Sequence, residues 1–175
     1  MISFMHVPKT GGISFMHSVH DKNFPVCCFG HKSFFELETC DNARDHEYVT
    51  FFRDPYDLAV SKYFYETKYE NLKSSLNDYL DSYDPIYAKY VDIDNVSDIK
   101  FVGTLENYNR SIHIFNKMFG TSLVAHFDNV KDNKQPGAGY KTSYSRKTFI
   151  DNNKEDYEIY YRGVKKYEEL NKFYG

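Results

Sequence analysis

Two kinds of hydrophobic pattern alternate along the chain, and together they predict strands that alternate with helices. Short apolar runs that end at turn residues are typical of strands, whereas longer segments with apolar residues three and four positions apart are typical of helices. The predicted strands cover residues 1–7, 24–29, 47–53 and 99–103. The predicted helices cover residues 11–20, a segment that ends near Leu37, and residues 54–66, 72–83, 104–119 and about 147–173.

The order of these elements predicts the fold class. Strands that alternate with helices favour an α/β fold, with a mostly parallel central sheet and helices on both of its faces. We expect three layers in a single domain over residues 1–175, because a chain of this length can bury one sufficient core. Ligands of such folds lie beyond the carboxyl ends of the strands, so residues that follow predicted strands are the first candidates for a site.

The same patterns predict which residues pack in the core and which stay at the surface. Ile13 on the first helix and Tyr65 near the end of the 54–66 helix fall on apolar stripes, so both are expected to face the core. Residues 87–96 are polar and irregular, and we expect a surface segment there. Residues 128–146 combine asparagine, lysine, proline and glycine and are expected to form a loop.

Composition and charge narrow the range of partners. The chain has 22 lysine and arginine residues against 25 aspartate and glutamate residues, and its formal net charge is −3. A nucleic-acid binder needs a basic surface to neutralise phosphates, so we expect no nucleic-acid partner. No apolar run reaches the roughly 18 to 20 residues that span a bilayer, and the chain enters a strand directly, so neither a membrane segment nor a signal peptide is expected. These features favour a soluble, cytoplasmic protein.

The three cysteines, Cys27, Cys28 and Cys40, also favour the cytosol, because an odd number is typical of reduced thiols. Together with His31 they could in principle ligate zinc. Adjacent cysteines lack the two-residue gap that is usual between zinc ligands, however, and the chain has no Cys-x-x-Cys pair. We therefore expect small thiols packed beneath a strand and no bound metal.

The first chemical signal is the sequence Pro-Lys-Thr-Gly-Gly-Ile-Ser at residues 8–14, where the first strand turns into the first helix. Unpaired N–H groups and the helix dipole make such a turn suitable for a phosphate, and the two glycines let the backbone approach it closely. Lys9 adds a full positive charge, while Thr10 and Ser14 add hydroxyl groups. The lysine precedes the glycines, so this is no Walker A loop, and an ordinary strand–turn–helix connection is the alternative interpretation.

The second signal is Arg53, which ends a predicted buried strand and is followed by Asp-Pro at a helix start. Its guanidinium is expected at the edge of the sheet, where the planar fork suits bidentate binding of phosphate. Ser61 lies about two helical turns further on and can return to the same side. The alternative is a surface pair between Arg53 and Asp54 or Asp57, which contributes little to stability.

Taken together and in this order, the two blocks resemble the superfamily of sulfotransferases that use 3′-phosphoadenosine 5′-phosphosulfate (PAPS), and most closely its carbohydrate sulfotransferases of the heparan and uronyl 2-O type. The run His-Val-Pro-Lys-Thr-Gly-Gly-Ile-Ser-Phe at residues 6–15 is similar to the family's 5′-phosphosulfate loop. Arg-Asp-Pro at residues 53–55, with Ser61 at the family's own offset, is similar to its 3′-phosphate segment. Weaker similarity continues in Phe-Val-Gly-Thr-Leu-Glu at residues 101–106 and in Lys-Thr-Ser-Tyr-Ser-Arg at residues 141–146, which is similar to the loop that closes over the nucleotide.

This resemblance implies a three-layer, P-loop-like fold. It also implies transfer of a sulfuryl group from PAPS to a hydroxyl group of an acceptor, with release of adenosine 3′,5′-bisphosphate (PAP) and without a metal ion. The acceptor is expected to be a carbohydrate or another small hydroxylated molecule. The negative net charge makes a highly sulfated polyanion a less suitable acceptor. The nucleotide ligands that the resemblance implies are Lys9, Thr10, Gly11, Gly12, Ile13, Ser14, Arg53, Ser61, Lys141, Thr142 and Ser143.

The resemblance also implies a general base, because the acceptor hydroxyl must lose a proton as it attacks sulfur. A Gly-His pair before the arginine strand supplies that base in the 2-O type, and Gly30 and His31 occupy the corresponding place, so His31 and Lys9 are the implied catalytic residues. Glu36 or Glu38 could act as the base instead. Two other functions stay open: an ATP-dependent phosphotransferase (kinase) of related fold, and a nucleotide-binding module without catalytic activity.

Overall fold

The structure of the protein is a computed structural model that describes residues 1–40, 45–127 and 142–175. Helices flank a parallel sheet in these residues, so the predicted α/β class is confirmed. The strands are β1 (Ile2–Phe4), β2 (Val26–Cys28), β3 (Glu47–Phe52) and β4 (Phe101–Thr104). The helices are α1 (Gly12–Asp21), α2 (Phe34–Glu38), α3 (Pro55–Tyr69), α4 (Leu76–Asp81), α5 (Tyr87–Tyr90), α6 (Tyr108–Phe119), α7 (Arg146–Asn152) and α8 (Lys154–Tyr174), with a short 3₁₀ helix at Asp94–Ser97. Within the described ranges, no helix is both long and apolar enough to cross a membrane.

The four strands of the described residues form one sheet in the order β2-β1-β3-β4, and every neighbouring pair is parallel. Phe4 at the end of β1 lies opposite Cys28 of β2 and Val49 of β3. Because the strands are parallel, their carboxyl ends meet at one edge of the sheet. The loops that leave β1, β2 and β3 therefore start at the edge where ligands of such sheets bind.

Two adjacent phenylalanines of β3 show how helices cover both faces of the sheet. Successive residues of a strand point to opposite faces. The Phe51 ring packs on Phe15 of α1, with 5.1 Å between ring centroids, whereas the Phe52 ring packs on Tyr87 of α5, with 4.8 Å. Gly163 of α8 also lies against Phe52, on this second face. All four aromatic residues are fully buried, and burial of such apolar area is the main favourable contribution to folding.

Local capping explains where α3 begins. Asp54 precedes the helix, and its Oδ1 accepts hydrogen bonds from the N–H groups of Tyr56 and Asp57 at 3.0 and 3.2 Å. Pro55 occupies the first helical position, where its missing N–H costs little. These contacts start α3 immediately after Arg53 and so fix the exit of the chain from β3.

Several predicted boundaries differ from those of the structure. The helix predicted over residues 72–83 is only α4, because the Ser75 hydroxyl caps its start by accepting a hydrogen bond from the Asp78 N–H. The last helical region is two helices rather than one. They are separated at Asn153, whose side-chain amide turns back to donate a hydrogen bond of 2.9 Å to the Phe149 carbonyl. Strands β1 and β2 are also shorter than predicted.

The surface position predicted for residues 87–96 is only partly right: four of these residues are exposed, but Tyr87, Val91 and Val96 are buried. Tyr87 is fully buried, because Asp156 of α8 holds the start of α5 against the rest of the fold. The Asp156 carboxylate is itself fully buried and accepts hydrogen bonds from the N–H groups of Ile86 and Ala88, both at 2.9 Å. Burial raises the pKa of Asp156, and the backbone donors offset part of that effect. Tyr87 is thus buried although its segment is polar. The carboxylate that holds the segment, Asp156, lies far away along the chain.

Replacement of Asp156 by alanine removes both acceptor oxygens and leaves the buried N–H of Ile86 and the part-buried N–H of Ala88 without them. We expect Asp156→Ala to lower the free energy of unfolding by roughly 2 to 4 kcal/mol, since each unpaired buried donor costs about 1 to 3 kcal/mol. Urea unfolding measures the change. Glu158→Ala, at an exposed position of the same helix, is the matched control and should change the free energy by less than about 0.5 kcal/mol. An equally small change in Asp156→Ala would contradict this role.

Candidate functional site

The loop between β1 and α1 has an unusual backbone. Lys9 has a φ of 65° and Gly11 a φ of 90°, and both angles fall in the left-handed region that favours glycine. A lysine in this region costs free energy, so the surrounding structure must hold it there. The Thr10 hydroxyl contributes, because it is buried and donates a hydrogen bond of 2.8 Å to the Val7 carbonyl. The loop is therefore a fixed turn beyond the carboxyl end of β1.

Close packing requires both glycines of this loop. A Cβ atom at Gly11 would lie 2.7 Å from Cδ1 of Leu105, and one at Gly12 would collide with the His6 ring. Gly12 is the first residue of α1, and no side chain of the described residues caps this helix start. Unpaired N–H groups at a helix start attract anions, so the loop can bind a phosphate as its sequence predicts.

Arg53 follows β3 directly and links it to the Lys9 loop. Arg53 is only 8% exposed, and its Nη1 donates a hydrogen bond of 3.3 Å to the Lys9 carbonyl. One hydroxyl group holds the Arg53 backbone on both sides: the Tyr87 hydroxyl accepts a hydrogen bond from the Arg53 N–H and donates one to the Arg53 carbonyl, each at 2.7 Å. The two sequence motifs therefore meet at the edge of the sheet.

Lys9 and Arg53 are neighbouring positive charges. Among the described residues, no carboxylate lies within the 4.0 Å of an ion pair with either side chain. Burial lowers the pKa of Lys9, and the charge of Arg53 lowers it further. Burial also lowers the pKa of Arg53, although the charges of Asp57 and Glu106 act in the opposite direction. An anion bound beside both cations would relieve their repulsion and replace their lost hydration.

Two histidines lie beside these charges. The centroids of the His6 and His31 rings are 4.4 Å apart, and Nδ1 of His31 is 2.8 Å from the His6 carbonyl oxygen. A carbonyl can only accept, so Nδ1 of His31 carries the hydrogen and Nε2 of the neutral ring is left as a proton acceptor. His31 is exposed, as suits a base that takes a proton from a bound substrate.

His6 has a different role from His31. Burial, together with the nearby charges of His31 and Lys9, lowers the pKa of His6 from 6.5 to about 4. The ring is therefore neutral at neutral pH and adds no further positive charge to the site. It stacks on Phe4, with 5.3 Å between centroids, and lies against Gly12, so its role is to support the loop.

The two carboxylates considered as alternative bases are less suitable than His31. Glu36 forms a capping box with Ser33: its Oε2 accepts hydrogen bonds from the Ser33 N–H at 2.7 Å and from the Ser33 hydroxyl at 2.9 Å. These bonds lower the pKa of Glu36 and make it a weaker base. Glu38 is exposed at the last position of α2, whereas His31 is bonded to the backbone of the β1 strand exit.

Arg146 connects the start of α7 with the start of α3. Its Nη1 lies 3.1 Å from Oδ2 of Asp54, and its Nη2 lies 2.6 Å from Oδ1 of Asp57. The segment that resembles the nucleotide-closing loop therefore ends next to Arg53. Arg146 also engages the two carboxylates that the sequence offers as surface partners of Arg53, so that alternative interpretation is not supported by the described contacts.

Thr142 and Ser143 lie against α4 rather than against the Lys9 loop. The Thr142 hydroxyl donates a hydrogen bond of 2.6 Å to Oδ1 of Asn77, and the Asn77 amide donates one of 2.7 Å to the Ser143 hydroxyl. The Thr142 hydroxyl would have to give up its bond to Asn77 to donate to a phosphate, whereas the Ser143 hydroxyl accepts from Asn77 and keeps its own hydrogen to donate. Lys141 lies outside the described residues.

The remaining implied ligands are divided between α1 and α3. Ile13 is 51% exposed, so its predicted core position is wrong; Gly12 and Phe15 take the inward positions of this helix start. Ser14 is buried in the same turn of α1, and Ser61 is half-buried on α3. The described structure therefore brings the Lys9 loop and Arg53 together. The role of Ser61 as a ligand of the 3′-phosphate stays a prediction.

Tyr65 is exposed rather than buried, contrary to the prediction. The residue is 44% exposed, and Nζ of Lys9 lies 4.4 Å from the centroid of its ring. The fully buried residues of α3 all fall within residues 55–60; further along, Phe64 is only partly buried against the core and Tyr65 lies outside it. The four-residue spacing of Ser61, Tyr65 and Tyr69 could have indicated a shared face next to the site.

The cysteines add no chemistry to this site. Cys27, Cys28 and Cys40 are free thiols, and Cys28 is exposed rather than packed beneath a strand, because β2 is an edge strand of the sheet. No group of three or more histidine, cysteine, aspartate or glutamate residues in residues 1–40, 45–127 and 142–175 could hold a metal ion.

No protein-family model matches the chain, and no curated protein matches its sequence. The interpretation of the site therefore depends on its own residues and their geometry. That geometry brings Lys9 and Arg53 into contact through the Lys9 carbonyl and sets His31 against the backbone of the same loop.

The low pKa of His6 predicts a pH dependence of stability. The unfolded chain binds a proton at His6 near pH 6.5 and the folded chain only near pH 4. The unfolded state therefore takes up more protons between these values, and His6 makes the fold less stable as the pH falls through them. We expect the free energy of unfolding of the unaltered chain to fall relative to that of His6→Gln between pH 7 and pH 4, measured by urea unfolding.

The matched control for this measurement is His113→Gln, at an exposed position of α6. Its difference from the unaltered chain should not follow the same course with pH. A His6→Gln difference that does not change between pH 7 and pH 4 would show that His6 is protonated equally in the folded and unfolded chains.

Proposed function

We propose that the chain is a sulfotransferase that moves a sulfuryl group from PAPS to a hydroxyl group of a carbohydrate acceptor. The observation that carries the proposal is the hydrogen bond from Arg53 to the Lys9 carbonyl, since it sets two phosphate-binding motifs side by side. A nucleotide with phosphate groups at both its 5′ and 3′ positions needs two such cationic ends. This arrangement therefore supports PAPS over a nucleotide with a single phosphate chain.

The residues of the site divide between the two ends of the donor. The N–H groups of the Gly11–Gly12 turn and the ammonium group of Lys9 suit the 5′-phosphosulfate, because they concentrate positive charge where the leaving phosphate gains negative charge. Thr10 can contribute only its N–H, since its hydroxyl is bonded to a carbonyl. Arg53 and Ser61 are assigned to the 3′-phosphate.

The proposed reaction is an in-line displacement at sulfur. The acceptor oxygen forms a bond to sulfur while the bond from sulfur to the 5′-phosphate oxygen breaks, and PAP leaves with the bonding electron pair. The proton of the acceptor hydroxyl passes to Nε2 of His31. The neutral His6 ring, whose centroid lies 4.4 Å from that of His31, adds no repulsion to the positive charge that His31 then gains.

The contacts of the nearby carboxylates distinguish this proposal from an ATP-dependent phosphotransferase. Such an enzyme holds Mg²⁺ through carboxylate groups. Asp54 and Asp57, which follow Arg53 closely, are both paired with Arg146, and the Asp54 carboxylate also caps α3. Both carboxylates already have partners at the start of α3, so the described contacts favour a reaction that needs no metal.

Binding of PAP without a metal ion is the first test. A ligand at 100 times its dissociation constant stabilises a protein by about 2.7 kcal/mol, which for a chain of this size raises the melting temperature by about 5 to 10 °C. We expect this shift with PAP and a smaller one with ATP, with or without Mg²⁺. Arg53→Lys keeps the charge but loses the planar fork, so it should lose most of the shift. Arg110→Lys, at an exposed position of α6, is the matched control.

Other outcomes of this titration discriminate between the alternatives. A preference for ATP with Mg²⁺ would contradict the proposed sulfotransferase function and favour a phosphotransferase. Strong binding of PAP without turnover on any acceptor would favour a nucleotide-binding module. Equal shifts in the unaltered chain and Arg53→Lys would show that PAP binds elsewhere.

The role of His31 is tested by separating turnover from donor binding. We expect His31→Ala to lower kcat by roughly 100-fold or more, since general bases contribute about 10² to 10⁴ in rate, while the Kd for PAP stays unchanged. Steady-state kinetics and calorimetry measure the two quantities. His113→Ala should leave both unchanged, and a kcat of His31→Ala close to that of the unaltered chain would exclude His31 as the base.

A further inference from the structure

Tyr65 and Tyr69 form an exposed pair of stacked rings on α3. Their ring centroids are 4.9 Å apart, and the two residues are 44% and 60% exposed. Ser61, Tyr65 and Tyr69 follow one another at four-residue spacing, so they lie along one face of the helix. The face that carries an implied 3′-phosphate ligand therefore continues into two aromatic rings.

Lys9 connects this pair with the chemistry of the site. Its Nζ lies 4.4 Å from the centroid of the Tyr65 ring, within the range of a cation–π contact. At the other end of the pair, Nζ of Lys68 donates a hydrogen bond of 2.7 Å to the Tyr69 hydroxyl. The two rings thus form an apolar surface with polar groups at both ends.

Both rings keep a large part of their surface exposed to solvent. The fully buried residues of α3 all fall within residues 55–60, and Tyr65 and Tyr69 lie beyond them on the exposed side of the helix. A single exposed tyrosine needs no explanation, but two stacked rings beside a charged site offer apolar area that a ligand can cover. An aromatic surface with a polar rim suits a pyranose ring, which has an apolar C–H face and hydroxyl groups around its edge.

We propose that Tyr65 and Tyr69 form a platform on which a pyranose ring of the acceptor stacks, an inference that rests on the proposed sulfotransferase function. The position of Lys9 indicates that the group stacked on these rings belongs to the acceptor and is not the purine base of the nucleotide. The Tyr65 ring meets Lys9 at its ammonium group, which is the group assigned to the 5′-phosphosulfate that carries the transferring sulfuryl. The acceptor must stand next to that group, whereas the purine has no need to.

The test measures glycan binding and nucleotide binding separately on the full chain. The chain saturated with PAP is applied to an array of neutral and uronate-containing oligosaccharides, and the Kd for PAP is measured by calorimetry. We expect the Tyr65→Ala, Tyr69→Ala double variant to bind the recognised glycan about two- to tenfold more weakly for each ring lost, with an unchanged Kd for PAP.

Two further variants serve as controls. A Tyr65→Phe, Tyr69→Phe double variant keeps both rings and should retain glycan binding, which separates stacking from hydrogen bonding by the hydroxyl groups. Tyr161→Ala removes a tyrosine of α8 that is 57% exposed and also contacts neighbouring tyrosine rings, and it should change neither quantity.

Each other outcome overturns the platform in a recognisable way. A weaker Kd for PAP in the double alanine variant would place the rings against the purine. Unchanged glycan binding in that variant, or an unaltered chain that binds PAP but no glycan, would exclude an acceptor platform and leave the donor site intact. Failure of the unaltered chain to bind PAP would overturn the proposed function, and this inference with it.

Discussion

The hydrogen bond from the Arg53 guanidinium to the Lys9 carbonyl is the contact on which the candidate site depends. It joins the segments that follow β1 and β3, which are neighbouring strands. It also holds Lys9 in a backbone conformation that lysine rarely adopts. Arg53 is in place because the Tyr87 hydroxyl binds its backbone on both sides, and Tyr87 is in place because Asp156 binds the turn around it. A buried carboxylate of α8 therefore determines, through two hydrogen-bonded steps, where a cation of the site lies.

The same contact keeps the positive charges of Lys9 and Arg53 close together, and their proximity favours the binding of an anion. Burial lowers the pKa of both Lys9 and Arg53, so the folded chain bears a cost for keeping them charged. Asp57 and Glu106 offset only part of that cost for Arg53, and Arg146 forms ion pairs with both Asp54 and Asp57. An anion bound beside Lys9 and Arg53 would remove the free-energy cost of keeping both side chains charged, and this gain would add to the free energy of binding. Stability and anion binding are therefore linked at this edge of the sheet.

The sequence could predict the fold class and the two motifs, because strand and helix periodicities are local and the motifs follow strands directly. Lys9 and Arg53 lie where that reasoning puts them. Tyr87 and Asp156 could not be predicted, since the segment around Tyr87 has a polar composition and its buried partner is distant along the chain. Periodicity predicts a core position for Tyr65, because it shows which face of α3 is apolar but not where the core beneath that face ends.

The two histidines show how packing gives one residue type two roles. His6 lies against Gly12 and Phe4, and burial with two neighbouring charges lowers its pKa to about 4, so it stays neutral. His31 stands at the surface with Nδ1 bonded to the His6 carbonyl, which leaves Nε2 as the proton acceptor. A charged His6 would repel the imidazolium that His31 becomes in the proposed reaction. The burial that makes His6 a poor base thus also keeps a second positive charge away from His31, and the absence of a side chain at Gly12 permits that burial.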